Sequence, residues 1–207
     1  MNKRIIIVLA MLSFISETSH AQLIKSYGLS LGAVNSSQEW FSSGVHLEDF
    51  HSRWGFNAGA FIEGAQLSFL NFEVELRFTQ SGSVYTPPYQ PQLYPDGTGP
   101  GPNAHFYSRE DYLSPSILVK LNHRMPGGSL YLVAGPKLNV LVYSDPQMSF
   151  RETDLGGVFG VGFTFARILP FQTFAEFRYS PNFTYSFDDG SQTVRTHSID
   201  FLLGVTL

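Results

Sequence analysis

Hydrophobic and polar residues alternate with a period of two along most of this chain, the spacing that sends successive side chains to opposite faces of a β-strand. Phe72, Val74, Leu76 and Phe78 share one face, and Asn71, Glu73, Glu75, Arg77 and Thr79 the other. Tyr27, Leu29, Leu31 and Ala33 alternate with Ser26, Gly28, Ser30 and Gly32. The same holds for Trp54, Phe56, Ala58, Ala60 and Ile62 against Arg53, Gly55, Asn57, Gly59 and Glu63. Leu155, Phe159, Val161, Phe163 and Phe165 alternate with Asp154, Gly156, Gly160, Gly162 and Thr164. The last segment sets Ile199, Phe201, Leu203, Val205 and Leu207 against Asp200, Gly204 and Thr206, with Leu202 as an exception. Segments 111–121, 129–141 and 172–180 follow the pattern less cleanly. Pro115 and Pro136 interrupt two of them and each removes a ladder donor, which predicts a bulge or local break. Eight strands result, each of about 9–13 residues, the length a tilted strand needs to cross a bilayer.

The connections alternate in length. Long ones cover 35–52, 83–109, 142–153 and 181–193; short ones cover 64–66, 122–128 and 167–171. Long loops at one end and tight turns at the other are the mark of an outer-membrane barrel. The 83–109 loop carries Pro87, Pro88, Pro91, Pro95, Pro100 and Pro102 among its glycines, so it cannot continue a sheet.

Alternation alone fits two opposite barrels: a soluble lipocalin-like carrier with its apolar face inside, or a membrane barrel with that face on lipid. Composition favours lipid. Charged residues are 14% of the chain, against roughly 25% in ordinary soluble domains. Aromatics reach 15%, with 19 Phe and 10 Tyr. The polar face is built of Gly, Ser, Thr and Asn with nearly balanced charges: Glu63, Glu73, Glu75, Asp154, Glu176 and Asp200 against Arg53, Arg77, Lys120, Lys137 and Arg178. Such a mix suits an internal pairing network that plugs a lumen too narrow for more than its own side chains. The last strand also runs to the end of the chain, as barrel closure requires. The expected fold is therefore all-β, an eight-stranded antiparallel up-and-down transmembrane β-barrel.

Other features place the molecule without giving it chemistry. Lys3, Arg4, the apolar run Ile5 to Ile15 and Ser19-His20-Ala21 read as a cleavable signal peptide over 1–21, leaving the barrel at 22–207 in the outer membrane. The net charge of −4 argues against nucleic-acid binding, and the absence of Cys excludes disulfides and thiolate metal sites. His46, His51, His105, His123 and His197 fall in or beside loops, where solvated side chains are the ordinary reading. A metal site from His46, Glu48, Asp49 and His51 has no fixed strand behind it. Neither a catalytic set nor a cofactor or metal is expected. Trp54, Tyr112, Tyr131, Tyr143 and Tyr179 suit interfacial girdles. The structural network expected inside comprises Glu73, Glu75, Arg77, Lys120, Lys137, Glu176, Arg178 and Asp200. The alternatives are a lipid- or peptide-modifying outer-membrane enzyme, with titratable groups converging at one rim, and the lipocalin-like carrier.

Several stretches resemble the PorT-like outer-membrane β-barrel family: Glu75-Leu76-Arg77-Phe78-Thr79-Gln80-Ser81-Gly82, Asp111-Tyr112-Leu113-Ser114-Pro115 running on to Lys120, and Gly135-Pro136-Lys137-Leu138. Asp154-Leu155-Gly156-Gly157 with Gly160-Val161-Gly162, and Glu176-Phe177-Arg178-Tyr179, complete the set. The resemblance implies an eight-stranded outer-membrane barrel, usually of undefined function, with one member linked to protein secretion. The chain as a whole is expected to be a non-enzymatic barrel, its lumen plugged by side chains, that presents extracellular loops or supports assembly or secretion. Its expected partners are outer-membrane lipid, the barrel-assembly machinery during biogenesis, and an undefined partner at the extracellular loops.

Overall fold

The computed structural model describes residues 24–42, 45–47, 50–67, 70–85, 106–145, 150–165, 171–188 and 190–207. Eight long strands form the wall: β1 (Ser26–Ser42), β3 (Phe50–Leu67), β4 (Leu70–Tyr85), β5 (Phe106–Met125), β6 (Gly128–Ser144), β7 (Thr153–Phe165), β8 (Gln172–Pro181) and β10 (Gln192–Thr206). Two short strands, β2 (Val45–Leu47) and β9 (Phe187–Asp188), pair with the loop-side ends of β1 and β10. Every pairing is antiparallel and follows chain order. β10 then pairs back onto β1 from Gly28–Thr206 to Ser42–Gln192, so the barrel closes and no long edge remains. Among the described residues no helix is long and apolar enough to cross a membrane. The signal-peptide segment and 86–105 of the proline-rich loop lie outside the described residues.

The faces follow the alternation. Leu29, Leu31, Trp54, Phe72, Val74, Phe201 and Leu203 are exposed on the outside, and Leu203 keeps 68% of its surface open. Their neighbours Ser30, Glu73, Glu75, Arg77 and Asp200 are buried inside, both glutamates at 2% exposure. An apolar exterior around a charged interior is the reverse of a soluble carrier and is stable only where lipid replaces water.

Strand length departs from the sequence expectation. β5 has 20 residues and β1 has 17, whereas a spanning strand needs about 9–11. Most of the connection 35–52 is strand, as are the two ends of 83–109, at 83–85 and 106–109. The reason shows on β1, whose polarity changes partway along the strand. From Val34 upward on β1 the inward positions become Ser36, Gln38 and Trp40, and the outward ones Asn35, Ser37 and Glu39. Trp40, Tyr112, Leu141, Phe150 and Val194 form a buried apolar cluster inside this loop-side half. The barrel is thus lipid-facing on its turn side and built like a water-soluble barrel on its loop side.

The prolines act as expected locally. Between Leu113–Val140 and Val119–Ala134 the β5–β6 ladder keeps only the Ser116–Lys137 pair, because Pro115 and Pro136 cannot donate. At the next turn Gly127 adopts a φ of +90° after Pro126, as a turn needing a left-handed second corner requires.

Candidate functional site: the lumen

The lumen is filled in tiers from the turn side upward. At the floor, Lys120 on β5 bonds Glu63 of β3 at 2.5 Å and Glu73 of β4 at 2.7 Å. Its ammonium lies 4.6 Å from the Tyr131 ring centre and 5.6 Å from that of Phe61, so cation–π attraction adds to the ion pairs. Phe61, Leu118, Tyr131, Val133, Val158 and Phe174 form an inward apolar cluster around this level.

Above it, Arg178 on β8 reaches Glu75 on β4 with Nη1–Oε2 at 2.5 Å, and stands 3.6 Å from Glu73. Around the ring β4 and β8 are four strands apart, on opposite walls, so this ion pair crosses the whole lumen. Arg178 also pairs with Glu176 on its own strand, and Arg77 pairs with Glu75. Arg77 further donates to Asn57 and to Ser30, each at 3.2 Å. The Tyr131 hydroxyl donates to Glu176 at 2.7 Å. Small residues opposite make room: a Cβ on Gly59 would stand 3.0 Å from the Glu75 carboxylate, and one on Gly162 would fall 2.2 Å from the Tyr131 ring.

Asp200 enters this layer through neutral donors, with Asn57 at 2.7 Å and Ser180 and Ser198 at 3.3 and 3.4 Å. Lys137 forms no ion pair within 4 Å among the described residues. It borders a cavity of about 40 Å³, together with Arg77, Ser114, Asn139, Ser198 and Asp200. That space is large enough for water. The Arg77 Nε and the Tyr112 hydroxyl, both buried without a hydrogen-bond partner, also belong to residues that line it.

The loop-side tier is a lid. Gln38 donates to the buried Glu110 at 2.7 Å, while Ser83 and Trp40 donate to the other end of the Gln38 amide at 2.5 and 3.3 Å. Trp40 stacks on Phe50 with ring centres 4.8 Å apart, and Phe50 stacks on Tyr85 at the same distance. This layer joins charge-bearing residues that sequence inspection left aside. Glu110 shares the inward parity of Tyr112, Ser114 and Ser116, but its neighbours Arg109 and Asp111 are polar as well, so no apolar–polar alternation marks it.

Some sequence assignments need correction. Tyr112 and Tyr131 do not belong to an interfacial girdle: they point inward and are 3% and 1% exposed. Strand parity outweighs the preference of tyrosine for interfaces, and Glu176 inside supplies Tyr131 with an acceptor. Trp54, Tyr143 and Tyr179 do face outward. Leu202, the exception in the last strand, also points inward, where Gly32 leaves it space.

The described histidines do not converge. His51 is exposed at the loop-side end of β3, and His123 is exposed near the turn-side end of β5. His197 lies beside Tyr179, with ring centres 6.3 Å apart. His105, Glu48, Asp49 and the side chain of His46 lie outside the described residues, so the loop metal site does too. Among the described residues no group of three or more His, Cys, Asp or Glu is arranged to hold a metal.

No family model and no curated protein sequence matches the chain. Solved structures do match. The outer membrane protein OprG from Pseudomonas aeruginosa superposes with a TM-score of 0.51 at 8% identity, over 89% of this chain and 97% of that one. The outer membrane protease OmpT from Escherichia coli also gives a TM-score of 0.51 at 8% identity, over 92% of this chain and 98% of that one. Neisserial surface protein A gives 0.45 at 17% identity, over 86% and 96%. At such identities the likeness is one of fold. The chain has the closed, eight-stranded antiparallel β-barrel fold of outer-membrane proteins.

Proposed function

We propose that this protein is an integral outer-membrane barrel without enzymatic activity, one that holds its loop-side wall clear of the bilayer to present its loops or to support assembly or secretion. The observation that carries the reading is the Arg178–Glu75 pair joining opposite walls above the Lys120 floor. A lumen crossed by ion pairs at several levels leaves no continuous path for solutes, so the work falls to the protruding end. The separation of the described histidines and the lack of a nucleophile set around them support a non-catalytic role. The PorT-like motifs, which lie in strands and turns of the wall, are consistent with a part in assembly or secretion. Export through a signal peptide and insertion by the barrel-assembly machinery complete the proposal.

Reconstitution into planar bilayers tests it. The folded protein should show no steady ohmic conductance, and it should fractionate with outer membranes after carbonate washing. A stable open pore, or recovery in the soluble periplasmic fraction, would defeat it.

A further inference from the structure

Two arginines on the loop side, Arg109 and Arg151, have carboxylate partners. Arg109 is held by Asp111 at 2.6 Å and lies 5.1 Å from the Tyr143 ring centre. Arg195, on the outward face of β10, is different. Its register partner on β1 is Glu39, yet the guanidinium leans the other way, over Tyr185 at 5.3 Å from the ring centre. Among the described residues no carboxylate forms an ion pair with it. The nearest charged pair on that side, Arg151 with Asp188, is satisfied within itself.

Below Arg195 the outward face of β10 carries His197, beside the Tyr179 ring, and from Ile199 downward it is apolar. Phe177, Phe201 and Leu203 are exposed down β8 and β10, and Phe183 and Tyr179 are exposed beside them. Phe177 meets Phe201 edge-on at 5.1 Å, and Trp54 stacks on Phe201 at 6.5 Å, so the strip is continuous across β8, β10, β1 and β3. From Arg195 to Leu203 it runs about 25 Å along the strand. A guanidinium whose planar donors suit phosphate thus heads a strip as long as an acyl chain.

We propose that this strip is a binding site for one phosphate-bearing lipid, with the phosphate on Arg195 and its acyl chains along Phe177, Phe201 and Leu203. The proposal rests on the membrane reading of the barrel and adds a specific lipid class to it. The Tyr185 ring, and not Glu39, is the contact that holds the guanidinium.

Trp54 is placed to report on the site. It is one of two tryptophans, it touches Phe201, and it is exposed to lipid, whereas Trp40 is buried in the lid and gives a constant background. The protein is reconstituted in phosphatidylcholine vesicles carrying lipids brominated on the acyl chains. Brominated phosphatidic acid should quench Trp54 with about five-fold higher relative affinity than brominated phosphatidylcholine, the factor expected of one interfacial arginine. Arg195→Gln should bring the ratio to about 1, Arg195→Lys should keep part of it, and Arg109→Gln should leave it unchanged. Equal quenching by both lipids in the wild type, or a preference that survives Arg195→Gln, overturns the site. Quenching by neither lipid would instead put Trp54 out of contact with acyl chains and remove the membrane reading itself.

Discussion

At the scale of single residues, the molecule depends on charges that cannot be removed one at a time. Arg77 sits between Glu75, Asn57 and Ser30 with only 9% of its side chain exposed. Arg77→Ala leaves Glu75 with one fewer counter-charge in a place that water reaches poorly, and should cost roughly 3–5 kcal/mol in a reversible folding assay. A loss below about 1 kcal/mol, the size found for exposed pairs, would mean that the lumen is wet at this level. Arg178→Met should be worse than Arg77→Ala, because Arg178 neutralises Glu75, Glu176 and, more distantly, Glu73. Equal losses would show that the wall-to-wall contact adds nothing. The inward set Glu73, Glu75, Arg77, Glu176, Arg178 and Asp200 could be read from parity alone. Who bonds whom could not. Arg178 meets Glu75 only because β4 and β8 end up on opposite walls, and Lys137, which lines the same cavity as Asp200, forms no ion pair within 4 Å among the described residues.

At the scale of elements, alternation was the legible signal, and β4 displays it best. Val74 and Glu75 are adjacent and must face opposite ways, one exposed at 52% and the other buried. With no native cysteine, single labels at these positions are simple to place. A label at 74 should be quenched by lipid-borne quenchers and ignore water-soluble ones, and one at 75 should respond to neither strongly. Ready access of aqueous quenchers to position 74 in vesicles would contradict the outward face. Val74→Arg should cost roughly 2–4 kcal/mol near the bilayer midplane and less toward either interface. Gly162 offers a second element-level test. Its β-carbon would enter the Tyr131 ring, so Gly162→Ala should displace that ring from Glu176 and the Lys120 floor, seen as a changed near-ultraviolet circular dichroism signal with the strand content intact. An unaltered signal would mean that the floor has slack. Segments such as Phe61, Tyr131 and Phe174 were hard to read because a few large apolar residues face inward against these glycines, which blurs the alternation of their strands.

At the scale of the whole molecule, eight strands and their order were legible from the pattern and the alternating connection lengths, but several of their lengths were not. On β1, β4 and β6 the expected strands stop short of a hydrogen-bonded wall that continues to Ser42, Tyr85 and Ser144, whereas the expected bounds of β7 and β8 nearly coincide with the observed ones. A closed wall without a long edge resists unravelling in detergent, so the protein should migrate differently on a gel before and after boiling. Identical migration would argue against closure. The reversal of polarity partway up β1 also means that natural selection acts on that strand under two contrary rules. Near Leu31 a chance aspartate is excluded and near Ser30 a large apolar residue is excluded. A few positions further, around Glu39 and Trp40, the odd site tolerates charge and the even site demands an aromatic. A library of random substitutions along β1, sorted for folded protein, should show its preference for apolar residues switch from odd to even positions between Ala33 and Gln38. The height of that switch would mark where the membrane ends, written in the record of which mutations survive.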